Sequence, residues 1–368
     1  MRSKAGVLFE VGQPWQIEEI DVADPQPREL VVELAATGLC HSDDHCVTGD
    51  TPMPLPIVGG HEGAGVVVAV GREVTRASVG DHVILFPTPT CGSCRFCNDG
   101  RSYLCDLNAY VATGRSPDGS YRFHLDGQGL GAYAQLGTFS QTLTVSELQV
   151  LVIEKDVPLD VACLIGCGVT TGYGSAVKVA KVQPGETVVV VGAGGVGISA
   201  VQGARIAGAS TIVAVDPVEL KRTTALALGA THAARSMEDG RHLVSELTRN
   251  VMADKVIVTL SLLKGDMFEA LADLTAKGGT IAVTSVSPST ERSLSMPLSP
   301  FFLSNKSLVG TVFGLVNPLV DMPRMLDHYR AGSLKLDEMV TATYPLEQLN
   351  QGYADLHAGV NIRGVVRF

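Results

Sequence analysis

The chain has 368 residues, 45% hydrophobic and 18% charged, with a formal net charge of -10. That length serves two domains with separate cores, and the composition excludes a disordered chain. The acidic balance and the lack of a long basic run argue against nucleic acid or an anionic membrane as partner, and no apolar run approaches the roughly 18 residues of a membrane span.

The opening stretch, "MRSKAGVLFEVGQPW", carries two early basic residues but no long apolar core behind them. No signal peptide is expected, and a cytoplasmic location follows. In that compartment the eight cysteines stay reduced, so clustered ones read as metal ligands rather than disulfides.

Residues 1–168 read as β-rich. Short apolar runs, "ELVVELAATG", "GAGVVVAVG" and "GDHVILF", alternate with Gly, Pro and Asp, as in an antiparallel, barrel-like domain. Within it, "CHSDDHC" crowds two cysteines, two histidines, a serine and two aspartates into seven residues. Further on, "CGSCRFCNDGRSYLC" spaces Cys91, Cys94, Cys97 and Cys105 as C-x2-C-x2-C-x7-C. Four thiolates at these intervals suit one tetrahedral zinc with no position left for water, hence a structural ion. Four cysteines also hold an iron-sulfur cluster, which is the rival reading.

From about residue 185 the texture changes. "ETVVVVGAGGVGISAVQGARIAGASTIVAVD" reads as strand, glycine turn, helix and strand, and strand-like "KVIVTL" and "TIAVTSV" follow. This alternation implies a parallel sheet wrapped by helices over 169–312. Gly192, Gly194 and Gly197 have G-x-G-x-x-G spacing between a strand and a helix, the context a dinucleotide fingerprint requires. Gly195 and Val196 complete the turn, and the helix N-terminus beyond them favours phosphate. The second strand ends at Asp216, whose carboxylate suits the adenosine ribose hydroxyls and would repel a 2′-phosphate. NAD is therefore expected rather than NADP, with Lys221 as a further contact. The tail, 313–368, holds a helix-like stretch, "LVDMPRMLDHYRAGSL", and a terminal strand, "RGVVRF". It is expected to return to the first domain.

Cys40, His61 and Cys167 can supply a further zinc with three ligands and an open fourth position, although no spacing rule joins them. A resemblance does. The motifs "GLCHSDDH", "GGHEGAG", the four-cysteine lobe, "GTFSQ", "GCGVTTGYG", "GAGGVG" and "NIRGVVRF" resemble those of zinc-dependent medium-chain alcohol dehydrogenases along nearly the whole chain. The resemblance implies a GroES-like barrel domain joined to a Rossmann domain, one catalytic and one structural zinc, NAD, and a small alcohol or aldehyde as substrate. Cys40, His61 and Cys167 fall where that family holds its catalytic zinc. Ser42 matches its substrate-hydroxyl partner, His45 its proton relay, and Asp43 the acid that orients the histidine ligand. Glu62 lies behind the metal. His41 and Arg363 match phosphate contacts. Cys46 and Cys163 read as ordinary buried thiols, and Phe86, Phe139 and Phe313 as candidate pocket walls.

The stretch "NAYVATGRSPDGSYRFHLDGQGLGAYAQLGTFSQ" is similar to the longer loop of dimeric members, so a homodimer is expected, with a tetramer as the alternative. The tail is similar to actinobacterial nicotinoprotein dehydrogenases, which keep NAD bound and recycle it with an external acceptor. Rival readings are a glutathione- or mycothiol-dependent formaldehyde dehydrogenase and a non-catalytic nucleotide-binding protein. A nucleic-acid-binding zinc lobe is disfavoured by the acidic charge.

Overall fold

The computed structural model describes all residues, Met1 to Phe368. They form two compact units. The first gathers Met1–Cys167, Asn317–Arg324 and Leu336–Phe368, and the second Gly168–Val316 and Met325–Lys335. The segment expected as one return from 313 to 368 is thus divided, with Met325–Lys335 clustering in the second unit. No helix is long and apolar enough to cross a membrane.

In the first unit, strands Arg2–Leu8, Gln16–Val22, Phe123–Leu125, Gln128–Ala132 and Ile57–Val58 close a small barrel. A seven-stranded sheet adjoins it, in the order Val150–Ile153, His82–Leu85, Gly63–Val70, Glu29–Gly38, Arg363–Arg367 and Val340–Tyr344, with Thr142–Ser146 also paired to Glu29–Gly38. The run "ELVVELAATG" becomes a strand throughout, "GAGVVVAVG" does so over Gly63–Val70, and "GDHVILF" over His82–Leu85. One apolar core, including Val7, Ile20, Leu30, Val32, Leu85, Phe123 and Leu143, serves barrel and sheet together. Register matters most at one end of this sheet. Thr37 pairs with Gly63, and Gly38 with Val365, both antiparallel. That register brings the residues just after Gly38, just before Gly63 and just before Val365 to one place.

The second unit is a six-stranded parallel sheet ordered His232–Ala234, Thr211–Val215, Thr187–Val191, Ala253–Val258, Thr275–Val283 and Ser307–Gly310. By position in the chain this is 3-2-1-4-5-6, the doubly wound order, whose strand order reverses beside Thr187–Val191. The central strands are continuous Val and Ile runs buried on both faces, as parallel sheets require. The two end strands are three and four residues long and escape periodicity arguments.

Helices Gly168–Gly174 and Gly195–Ile206 meet where Gly172 lies. A Cβ there would run into the Val196 carbonyl and come within 2.6 Å of the Ser199 Cβ and 2.8 Å of the Ala200 nitrogen. Backbone cannot yield as a flexible side chain does. Gly172→Ala is expected to destabilise the protein by about 1–3 kcal/mol, read as a lower urea midpoint at unchanged slope.

Candidate functional site

Strand Glu29–Gly38 ends two residues before Cys40, which adopts extended geometry as N-cap of helix His41–Thr48. Gly49, in the left-handed region at φ 79°, closes that helix after only eight residues. Asp43 and Asp44 occupy its first turn, where the helix dipole favours negative charge. His61 and Glu62 sit just ahead of strand Gly63–Val70, and the Gly38 amide donates to the Glu62 carbonyl at 2.9 Å. Cys167 follows the tight turn Cys163–Gly166.

These three pieces converge. The ligand atoms of Cys40, His61, Glu62 and Cys167 all lie within 4.8 Å of one another. Asp43, fully buried, accepts from the Gly60 amide at 2.8 Å and from His61 Nδ1 at 3.1 Å. With Nδ1 committed, Nε2 is the nitrogen offered to a metal. Tyr133 packs edge-on to the imidazole at 5.3 Å and its hydroxyl donates to the Ser42 carbonyl at 3.1 Å. The Cys167 thiol, by hydrogen bonding, and His61 after it hold Cys40 well below the ordinary thiol range. Two thiols and an imidazole at this separation fit zinc, with Glu62 close behind.

Glu62 and Arg363 form a fully buried ion pair. Burial pushes the Glu62 carboxyl up to about 7, although the Arg363 charge opposes the rise. Gly38 makes room for the pair, because a Cβ there would strike the Glu62 carboxylate and the Arg363 guanidinium. Ser42 Oγ lies 3.5 Å from Cys40 Sγ, next to the donor set. One turn on, His45 is buried with Nδ1 3.3 Å from Asp50 Oδ2. His41, partly buried, opens the helix. Cys46 and Cys163 are buried, their thiols pushed up to about 12 and beyond the thiol range respectively. Phe139 is fully buried with its ring edge-on to Trp15 and Tyr353, which makes it a core residue; Phe86 is fully buried too.

The ligand atoms of Cys91, Cys94, Cys97 and Cys105 also lie within 4.8 Å of one another. Cys91 and Cys97 sulfurs are 3.8 Å apart. The edge of a tetrahedron with Zn–S bonds of about 2.3 Å is about 3.8 Å. An iron-sulfur cluster would place irons and sulfides between the cysteines and spread them further. Burial raises the Cys91 thiol, but the Ser93 and Cys94 amides donating to its sulfur outweigh that and bring it down to about 6.

In the second unit, Gly192 has φ 93°, and Gly197 packs so closely on the Gly192 carbonyl that no Cβ fits. A Cβ on Gly194 would meet nothing within 4 Å, so the turn is open where a pyrophosphate would approach. Gly195 and Val196 form the first turn of the following helix. Asp216 accepts from the Ala193 amide and from the Val218 amide, both at 2.9 Å, and so ties the glycine turn to the end of the second strand. Lys221, partly buried, lies on helix Glu219–Ala227. Sequence reasoning missed Arg222, which donates to the Asp216 and Pro217 carbonyls at 2.8 Å each. It missed Tyr133 as well, since a lone aromatic in a loop carries no pattern.

Comparison with known proteins agrees with this construction. The family "Alcohol dehydrogenase GroES-like domain" matches residues 26–155, and "Zinc-binding dehydrogenase" matches residues 195–329. The chain is 46% identical over 370 residues to alcohol dehydrogenase B of Mycobacterium tuberculosis, covering 100% of this chain and 99% of that one. It is 45% identical over 366 residues to the NDMA-dependent alcohol dehydrogenase of Amycolatopsis methanolica, with 100% and 99% covered. Among solved structures it resembles benzyl alcohol dehydrogenase of Acinetobacter calcoaceticus, with a TM-score of 0.93, 28% identity and 100% and 99% coverage. A GroES-like barrel unit, a doubly wound unit, two sulfur-rich donor sets and full-length identity of this order make the chain a member of the zinc-binding alcohol dehydrogenase family.

Proposed function

We propose that the protein interconverts a small alcohol and its aldehyde or ketone, with NAD as hydride acceptor. The observation that carries this reading is the meeting of Cys40, His61 and Cys167, from three separate elements, around one point with Asp43 behind the imidazole. In this reading the first unit is the catalytic domain and the second the NAD-binding domain.

Zinc held by Cys40, His61 and Cys167 would supply Lewis acidity that makes an alcohol proton easier to lose. Asp43 fixes the His61 ring against rotation. The Ser42 hydroxyl takes up the alcohol proton as it gives up its own towards His45. His45, three residues further along the same helix, passes it towards solvent while Asp50 steadies its ring. Glu62 stands ready beside the ligands, held by Arg363. Cys91, Cys94, Cys97 and Cys105 would hold the structural ion. The nucleotide pyrophosphate would lie over Gly192, Gly194, Gly195, Val196 and Gly197, aided by Lys221. Asp216 would take the adenosine ribose.

The 45% identity to an NDMA-dependent enzyme supports a permanently held NAD, recycled by an external acceptor. A homodimer is supported by exposed apolar side chains on the helix Leu298–Leu303, which precedes the outermost strand Ser307–Gly310 in the chain: Leu298, Phe302 and Leu303 are 60%, 67% and 85% exposed.

Three outcomes are expected. Replacing Cys40, His61 or Cys167 by alanine abolishes turnover and removes one zinc equivalent per chain by elemental analysis, whereas Cys94→Ser removes the other equivalent and lowers the melting temperature. His45→Ala slows alcohol oxidation by about tenfold or more near neutral pH, with partial rescue by imidazole buffer. Gel-filtered protein releases NAD on denaturation and reduces a nitrosoaniline dye without added nucleotide; protein that elutes bare and needs added NAD is an ordinary dehydrogenase.

A further inference from the structure

The helix that carries Cys40, Ser42 and His45 is short. An isolated helix of about two turns is unstable in water, so its position must be imposed by its surroundings. The Cys40 side chain makes no capping hydrogen bond to it. Tyr133 holds it at one carbonyl, that of Ser42.

A second helix, Leu349–Ala358, meets it through two polar rungs. The Tyr353 hydroxyl donates to the Cys40 carbonyl at 3.2 Å, and His357 Nε2 lies 2.7 Å from Asp44 Oδ2. Tyr353 and His357 are four residues apart, and so are Cys40 and Asp44. Side chains at that spacing stack on one helix face, so the rungs are consecutive turns of two facing rows. The space around them is apolar: Leu39 and Cys46 share a core with Leu349, Tyr353 and Leu356.

The two rungs differ in kind. Tyr353 is buried, and burial holds its hydroxyl well above the ordinary phenol range, so it remains a donor. Asp44 is buried as well, whereas the His357 side chain is half-exposed. A carboxylate only accepts, so the proton in this contact sits on His357 Nε2. Neither residue offers a ligand atom. Tyr353 holds the backbone of Cys40, and His357 holds Asp44, which lies between Asp43 and His45.

We propose that Tyr353 and His357 are positioning residues, which fix the rotation and axial setting of the catalytic helix so that Cys40, Ser42 and His45 keep their places. The inference deepens the alcohol dehydrogenase reading and rests on it. A small displacement of reacting groups is enough to slow turnover, because an ångström of misplacement costs up to about a hundredfold in rate. One rung acts on the Cys40 carbonyl and the other on Asp44, between Ser42 and His45, so losing the second loosens the turn that joins them.

The test uses the zinc-loaded full chain with NAD, and three variants: His357→Ala, His357→Gln, whose amide nitrogen reaches near the place of Nε2, and Tyr353→Phe. His357→Ala is expected to lower kcat by about five- to tenfold, with zinc content and the KM for NAD unchanged. It is also expected to speed amide hydrogen exchange in the peptide covering 40–48. His357→Gln restores both. Tyr353→Phe shifts the visible absorption of the cobalt-substituted enzyme, since the Cys40 carbonyl loses its donor. The proposal is overturned if His357→Ala leaves kcat within about twofold and exchange over 40–48 unchanged, or if His357→Gln is as impaired as His357→Ala. A wild-type chain without alcohol turnover would instead remove the dehydrogenase reading, and the exchange comparison would still decide the clamp.

Discussion

Everything at this site depends on holding two thiols, an imidazole and a carboxylate within 4.8 Å of one another in a buried place. Desolvation and mutual repulsion oppose such a gathering of acidic groups. The fold answers with a ring of outer partners. Asp43, itself held by the Gly60 amide, holds His61, and Arg363 holds Glu62. Removing one partner from a buried ion pair costs about 3–5 kcal/mol, so Glu62 and Arg363 are bound to each other's fate. Their closeness in turn requires that residue 38 carry no side chain. A charge network set around a missing Cβ is stiff, and stiffness is what a metal site needs.

Sheet register, more than any local motif, assembles this network. Pairing Thr37 with Gly63 and Gly38 with Val365 places Cys40, His61, Glu62 and Arg363 at one end of three adjacent strands. A slip of one residue in either pairing would turn every side chain to the opposite face. The apolar core beneath the sheet is therefore part of the chemistry, because burying Leu30 and Val32 on one face fixes which residues emerge at its end.

The same contrast explains what was legible in the sequence. Cys91 to Cys105 span 15 residues, and the glycine turn fits in six; both are local, so spacing alone declares them. Cys40, His61 and Cys167 are joined only by long-range strand pairing, which no spacing rule encodes, and resemblance to a family stood in for geometry there. The strands "ELVVELAATG" and "GAGVVVAVG" were legible as runs, while His232–Ala234 and Ser307–Gly310 were too short to declare themselves. Arg363 matched a phosphate contact by motif, yet its burial against Glu62 comes from register and could be known only once Val365 was seen beside Gly38.

The residues that escaped sequence reasoning share a physical character. Tyr133, Arg222, Tyr353 and His357 act through backbone carbonyls or through another side chain, and an aromatic or basic residue on an amphipathic segment looks the same whether it does so or merely fills space. Their importance arises from the economy of the helix His41–Thr48. Eight residues and their cap carry the Cys40 thiol, the Ser42 hydroxyl, two carboxylates and two imidazoles, leaving little surface with which the helix can hold itself. A longer helix would bury more of its own face and need fewer external donors. A short one must borrow its rigidity from its surroundings: from Gly60 and His61 through Asp43, from Tyr133, and from a helix some three hundred residues away in sequence. The chain returns to the first unit after building the second, and its last helix supplies the hold that the first helix lacks.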